Sequence, residues 1–367
     1  MSDVSGVNRR TGTGEESVRA PGFMRTDEIA VERGAVSGIA VSPNGDLLMV
    51  THYGDDSFSL VDTNSGAVAQ TVIDVDEPFA VAMSDESAGR AYISSASASY
   101  DSVLAFDISA NRVVESYPLA YCVSDLAVSP DGRNVYAGRT GADGADIAIL
   151  DTATGDEQTI GIAGAGTVTE CLRLSADGRR LFVAANAAST AELVVVDTRR
   201  NQVLSTIEIG SSIRDIALSP DGATAYIGSC GPDFGTVLDV VDVRDARKCS
   251  VAATYKIGDV AGVVSSLTLS RDGSRAYLVG DTTVTVLSTR THDVIGSIAT
   301  GAQPSCAIES PAGNRLYIAD YAGTVTVLAV DAAAIPATAL TSDDDAPTTP
   351  HPWAAFADLL ALEPTPA

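Results

Sequence analysis

The chain has 367 residues but only two lysines, Lys248 and Lys256, and one tryptophan, Trp353. Its 23 basic residues face 48 acidic ones, for a formal net charge of −25. Nucleic-acid binding depends on cationic groups that neutralise phosphates, and a body this acidic repels them on average, so nucleic acid is not an expected partner. The three histidines, His52, His292 and His351, fall on separate segments and are too scattered for a multi-histidine copper centre. The five cysteines, Cys122, Cys171, Cys230, Cys249 and Cys306, form neither a CxxC nor a CxxCH pattern. A zinc ribbon and covalent haem are thereby excluded, and reduced, mostly buried thiols are expected. No apolar run is long enough to cross a bilayer. The polar start has no hydrophobic stretch behind Arg9-Arg10, so neither a secretory nor a twin-arginine signal is read. The expectation is a cytoplasmic protein, monomeric and with no membrane span.

What the chain does have is glycine, alanine and short aliphatic runs. Hydrophobic residues make up 45% of it and aromatics only 5%, which suits many short strands packed by small side chains. The key stretch is 215–229, in which Ile216 and Leu218 alternate with a small residue. Ser219-Pro220-Asp221-Gly222 then makes a turn, and Tyr226-Ile227 restarts an apolar strand. Proline presets φ in such a turn, aspartate bonds its own backbone, and glycine takes the left-handed position. The same hairpin returns with turn serines at Ser42, Ser84, Ser129, Ser175, Ser219, Ser270 and Ser310. The steps between them are 42, 45, 46, 44, 51 and 40 residues, the period of an array or propeller.

After each hairpin comes a third strand ending in aspartate, as in Leu60-Val61-Asp62 or Val195-Val196-Asp197, whose carboxylate is read as capping the next turn. A weaker fourth strand follows, such as Thr206-Ile207-Glu208-Ile209. Four antiparallel strands per period make one propeller blade. The last repeat lacks its fourth strand, because Ala332-Ala333-Ala334-Ile335-Pro336 interrupts it. An orphan alternating strand, 26–33, stands at the other end of the chain and fits the vacant slot. The expected fold is therefore an all-β, seven-bladed β-propeller over 26–340, closed by its N-terminal strand. Residues 1–25 are expected to be disordered. Residues 341–367 read as an acidic, proline-rich linker and a short amphipathic helix, in which Trp353, Phe356 and Leu360 share one face as a partner-docking tail or a helix packed back on the propeller. Of the net charge, 341–367 carries −5 and 1–25 carries +1, which leaves −21 on the body.

The repeat resembles the YVTN-type (YncE-like) β-propeller repeat family, on its Ser-Pro-Asp-Gly turns, its Val-x-Val-x-Asp third strands and degenerate tetrapeptides such as Met49-Val50-Thr51-His52 and Tyr226-Ile227-Gly228-Ser229. The resemblance implies the architecture and little chemistry, since relatives include surface proteins, lactonase-like hydrolases and propeller domains of redox enzymes. Quinoprotein propellers carry recurrent tryptophans, and this body has none.

Chemistry in such a ring belongs at the channel mouth, where loops entering first strands and leaving second strands gather. His52, Asp125, Arg139, Glu170, Arg214, Asp215 and Asp320 stand there by sequence position. One reading is an acidic mouth in which Arg139 and Arg214 balance the carboxylates. Another is a ligand site for a small molecule, a protein partner or a divalent cation such as Ca²⁺ or Mg²⁺, which prefer oxygen ligands. A third is lactone hydrolysis, with Asp or Glu as base and His52 or Arg139 polarising a carbonyl. No catalytic residue and no obligatory cofactor are assigned, and a non-catalytic binding or scaffold role is the leading expectation.

Overall fold

Why each repeat folds as a blade is visible in its burial. In blade 1 the strands are Val36–Val41, Leu47–His52, Ser57–Asp62 and Ala67–Ile73, hydrogen-bonded antiparallel in chain order. The second and third strands are buried almost throughout, because both faces of the sheet meet a neighbouring blade, and they read as continuous apolar runs. The fourth strand is largely exposed and carries the weakest pattern. Six further blades occupy 81–119, 122–163, 168–209, 212–257, 266–299 and 304–330. The computed structural model describes residues 18–83, 89–120, 122–231, 235–258, 260 and 262–335. The partner-docking reading of Trp353, Phe356 and Leu360 lies outside the described residues.

The core is distributed between blades rather than gathered at one centre. Phe182, Leu193 and Val195 of blade 4 pack on Ile213, Ile216 and Ile227 of blade 5, and each other blade boundary has its own such cluster. The first strands touch in a closed cycle, 304–309 against 36–41 completing it, and they wall the central channel.

The turns knit both ways. Ser219 Oγ donates to Asp221 Oδ1 at 2.6 Å and accepts from the Thr224 amide at 2.9 Å, and the same triad recurs at Ser129, Ser175 and Ser270. The turn glycines have positive φ, +66° at Gly222 and +71° at Gly273. Two of them also seat the preceding blade's proline: a Cβ on Gly273 would lie 2.5 Å from Pro220 Cδ, and one on Gly178 2.8 Å from Pro130 Cδ. The third-strand aspartates cap their turns as expected, Asp151 Oδ1 accepting the amides of Ala153 and Thr154 at 2.8 and 3.0 Å.

The ring closes through the N-terminus. Phe23–Ala30 pairs antiparallel with Thr324–Val330, from Phe23 opposite Val330 to Ala30 opposite Thr324, as the fourth strand of blade 7. The strand begins earlier than its apolar alternation suggested. Within the segment expected to be disordered, Val18–Arg19 pairs with Ile298 and Ser297 as a fifth strand on blade 6. Residues 18–25 are therefore part of the body: Phe23 packs edge-on against Tyr277, ring centroids 6.0 Å apart, an apolar contact that a polar, charged local composition hides.

Candidate functional site: the channel mouth

Four residues before each turn serine, one residue per blade lines the channel: Gly38, Ala80, Asp125, Cys171, Asp215, Ser266 and Cys306. In five of the seven blades a register shift interrupts the innermost strand at this point, for example between Val123 and Asp125 and between Ile213 and Asp215. Such bulges re-aim the unpaired residue, here Ser124 and Arg214 among others, toward the mouth. The cavity they enclose is about 480 Å³ and includes Asp125, Glu170, Arg173, Arg214 and Asp215.

Arg173 ties this group together. Its Nη1 donates to Asp125 Oδ2 at 2.7 Å and its Nη2 to Asp215 Oδ1 at 2.5 Å. Both aspartates also join their blade to the next. Asp125 Oδ2 accepts the Leu172 amide at 2.9 Å, and Asp215 Oδ2 accepts the Leu267 amide at 2.7 Å and the Ser266 hydroxyl at 3.2 Å. Burial lifts the Asp215 carboxyl above its ordinary range, against the pull of Arg173 and of these amides. Burial works against the Arg173 charge, but Asp215 and Asp125 outweigh it and raise the guanidinium further. Above this layer Glu170 and Arg214 pair at 3.5 Å, with 30% and 41% of their side chains exposed. Burial raises Glu170 as well, and Arg214 and the Asn186 amide oppose it.

Four expected residues thus meet, and three do not. His52 is buried within blade 1, where Nε2 shares a 3.0 Å hydrogen bond with Ser59 Oγ, and burial lowers it to about 4. Arg139 crosses blade 3, donating to Asp146 at 2.7 Å, Glu157 at 2.6 Å and Thr159 at 3.1 Å. Asp320 is buried and caps its own turn, accepting the amides of Ala322 and Thr324 at 2.9 and 3.0 Å. His52 and Asp320 end their second strands and Arg139 lies two residues short of the end of its own; side chains alternate between faces along a strand, and these three turn inward. The residues after His52 and Asp320 turn outward: Tyr53 and Tyr321 are about half exposed and line the mouth with Phe79. Tyr53 and Phe79 stand edge to face, centroids 6.2 Å apart.

The aromatic rim and Arg173 are the functional candidates that position alone missed. For Arg173 a signal existed: two residues before the turn serine, where other blades have Ala40, Ala82, Ala127 or Ala217, this blade has arginine. Cys171 and Cys306 line the channel but are poor nucleophiles, since burial raises Cys171 well above the usual thiol range and pushes Cys306 up to about 12. Among the described residues no group of three or more His, Cys, Asp or Glu side chains gathers closely enough to hold a metal ion, and no helix is long and apolar enough to cross a membrane.

No protein-family model matches the chain. Among solved structures, a chain of Kuenenia stuttgartiensis hydrazine synthase superposes with a TM-score of 0.73 over 83% of this chain and 98% of that one, at 20% identity, a likeness of fold alone. The seven-bladed β-propeller protein Rv1057 of Mycobacterium tuberculosis is 47% identical over 333 residues, which cover 83% of this chain and 84% of the relative. With seven four-stranded blades in a closed ring and this degree of identity, the chain belongs to the family of seven-bladed β-propeller proteins that includes Rv1057.

Proposed function

We propose that this propeller is a non-catalytic binding protein that receives a small ligand at the channel mouth. One observation carries the reading: Arg173 occupies Asp125 and Asp215, while the Glu170–Arg214 pair and the aromatic rim stay open to a cavity of about 480 Å³. Carboxylates already bound to a guanidinium and to backbone amides are held as structure, and a partly exposed ion pair beside aromatic faces offers recognition groups. The hydrolase alternative needs a carboxylate free to take a proton from water. Asp125 and Asp215 are committed elsewhere, Glu170 is paired with Arg214 and accepts from the Asn186 amide, and His52 and Arg139 lie inside their blades. The turn and third-strand motifs support placing the repeats with the YVTN type.

The test is a small-molecule thermal-shift screen on the full chain and on Glu170→Gln and Arg214→Ala. Binding to the native state raises apparent stability, by about 2.7 kcal/mol at a hundredfold excess over Kd. A compound that stabilises the wild type and loses its effect in either variant supports the reading. A shift that persists undiminished in both variants, or a lactone-ester activity abolished by Asp125→Asn, overturns it.

A further inference from the structure

Beside the channel mouth, and sharing Tyr53, Phe79, Ser124 and Glu170 with it, a second cavity of about 410 Å³ opens among blades 1, 2, 3 and 4. Resting on the reading of the mouth as a ligand site, we propose that this side cavity binds a small organic cation, an ammonium bearing alkyl groups. Its charged lining among the described residues is Glu77, Asp101 and Glu170, and no Lys, Arg or His lines it with them; Glu170 pairs with Arg214, which stands outside the lining. Two aromatic rings close one side. Tyr53 and Phe79 meet at 86°, each 46% exposed, and no aromatic core of this fold requires them there. The Tyr53 hydroxyl donates to Glu77 Oε2 at 3.1 Å, which fixes ring and carboxylate in one unit.

The chemistry selects among ligands. An anion meets Glu77 and Asp101 with no cation in the lining, while the Arg214 beside Glu170 is already paired with it. A neutral apolar ligand desolvates those carboxylates and pairs with none of them. A bare divalent ion wants several oxygens converging at short range, and no three acidic, His or Cys side chains among the described residues gather so closely. A bulky, weakly hydrated ammonium needs only an aromatic face and a diffuse negative field, and the cavity supplies both. The formal charge of −25 on the chain adds long-range attraction for the same class.

The experiment compares choline with 3,3-dimethyl-1-butanol, in which a carbon replaces the charged nitrogen, by titration calorimetry on the full chain, with benzyltrimethylammonium as a larger probe. Choline is expected to bind at least about tenfold more tightly than its neutral isostere, and Tyr53→Leu or Phe79→Leu to weaken it by about fivefold or more. Both rings are half exposed, so these variants keep the fold. Glu77→Gln is expected to weaken choline and leave the isostere unchanged. Equal affinity for choline and the isostere overturns the proposal, as does binding indifferent to the double Tyr53→Leu/Phe79→Leu change. Arg214 does not line this cavity, so Arg214→Ala is expected to retain choline. A screening ligand lost in Arg214→Ala, with neither ammonium probe bound, refutes the cation class and leaves the reading of the mouth standing.

Discussion

Replacing Arg173 by alanine removes one guanidinium and leaves two carboxylates, Asp125 and Asp215, without their shared counter-charge. Breaking a fully buried pair from one side costs roughly 3–5 kcal/mol, whereas an exposed pair contributes about 0–1 kcal/mol. The Asp215 side chain is 5% exposed and Asp125 20%, but Arg173 itself is 35% exposed to the channel, so water takes over part of its role. Both aspartates also keep their backbone donors. An intermediate loss of about 2–3 kcal/mol is expected, which for a body of this size lowers Tm by roughly 3–5 °C. The pH dependence gives a sharper check. Burial already raises the Asp215 carboxyl, and losing Arg173 raises it further. A carboxyl raised in the folded state favours folding when protonated and disfavours it once ionised. The deficit of the variant is therefore largest near about pH 7 and shrinks toward about pH 5 as Asp215 takes up its proton. Urea denaturation of wild type, Arg173→Ala, Asp215→Asn and the double variant at both pH values measures it. The double variant is expected to lose less than the sum of the singles. A neutral-pH Tm within about 1 °C of wild type, or a deficit that widens on acidification, refutes the reasoning.

Two further outcomes follow from the same geometry. His52 is held near 4 against an ordinary 6.5, so the unfolded chain binds its proton first and stability falls as pH drops from about 6.5 to about 4. His52→Asn flattens that slope, and an NMR titration of the imidazole with a midpoint near 6.5 would contradict it. Gly273→Ala combines positive φ with a Cβ against Pro220, and should cost about 2–4 kcal/mol by denaturant titration. Gly161→Ala, which meets nothing within 4 Å, is the control and should be neutral or slightly stabilising. Equal costs at the two glycines would rule out the role assigned to the proline–glycine seat between blades.

The sequence by itself determined the ring. Turn chemistry, strand alternation and period are local signals, repeated because every blade packs against the same kind of neighbour, and the missing seventh fourth strand pointed to the N-terminus that fills it. It placed that strand a few residues late, since Phe23 joins the body through a contact with Tyr277, far away in the chain. Position in the repeat also brought Asp125, Glu170, Arg214 and Asp215 to the mouth. What the tertiary structure decided is how they meet. Asp125 and Asp215 are joined by Arg173, 48 and 42 residues from them, and no local pattern relates groups in three different blades. It also decided which side chain at a strand end faces the channel. His52 and Asp320, the last residues of their strands, turn into their blades, and Tyr53 and Tyr321, the first residues of the turns that follow, turn out, because the repeat fixes the strand and not the turn that leaves it.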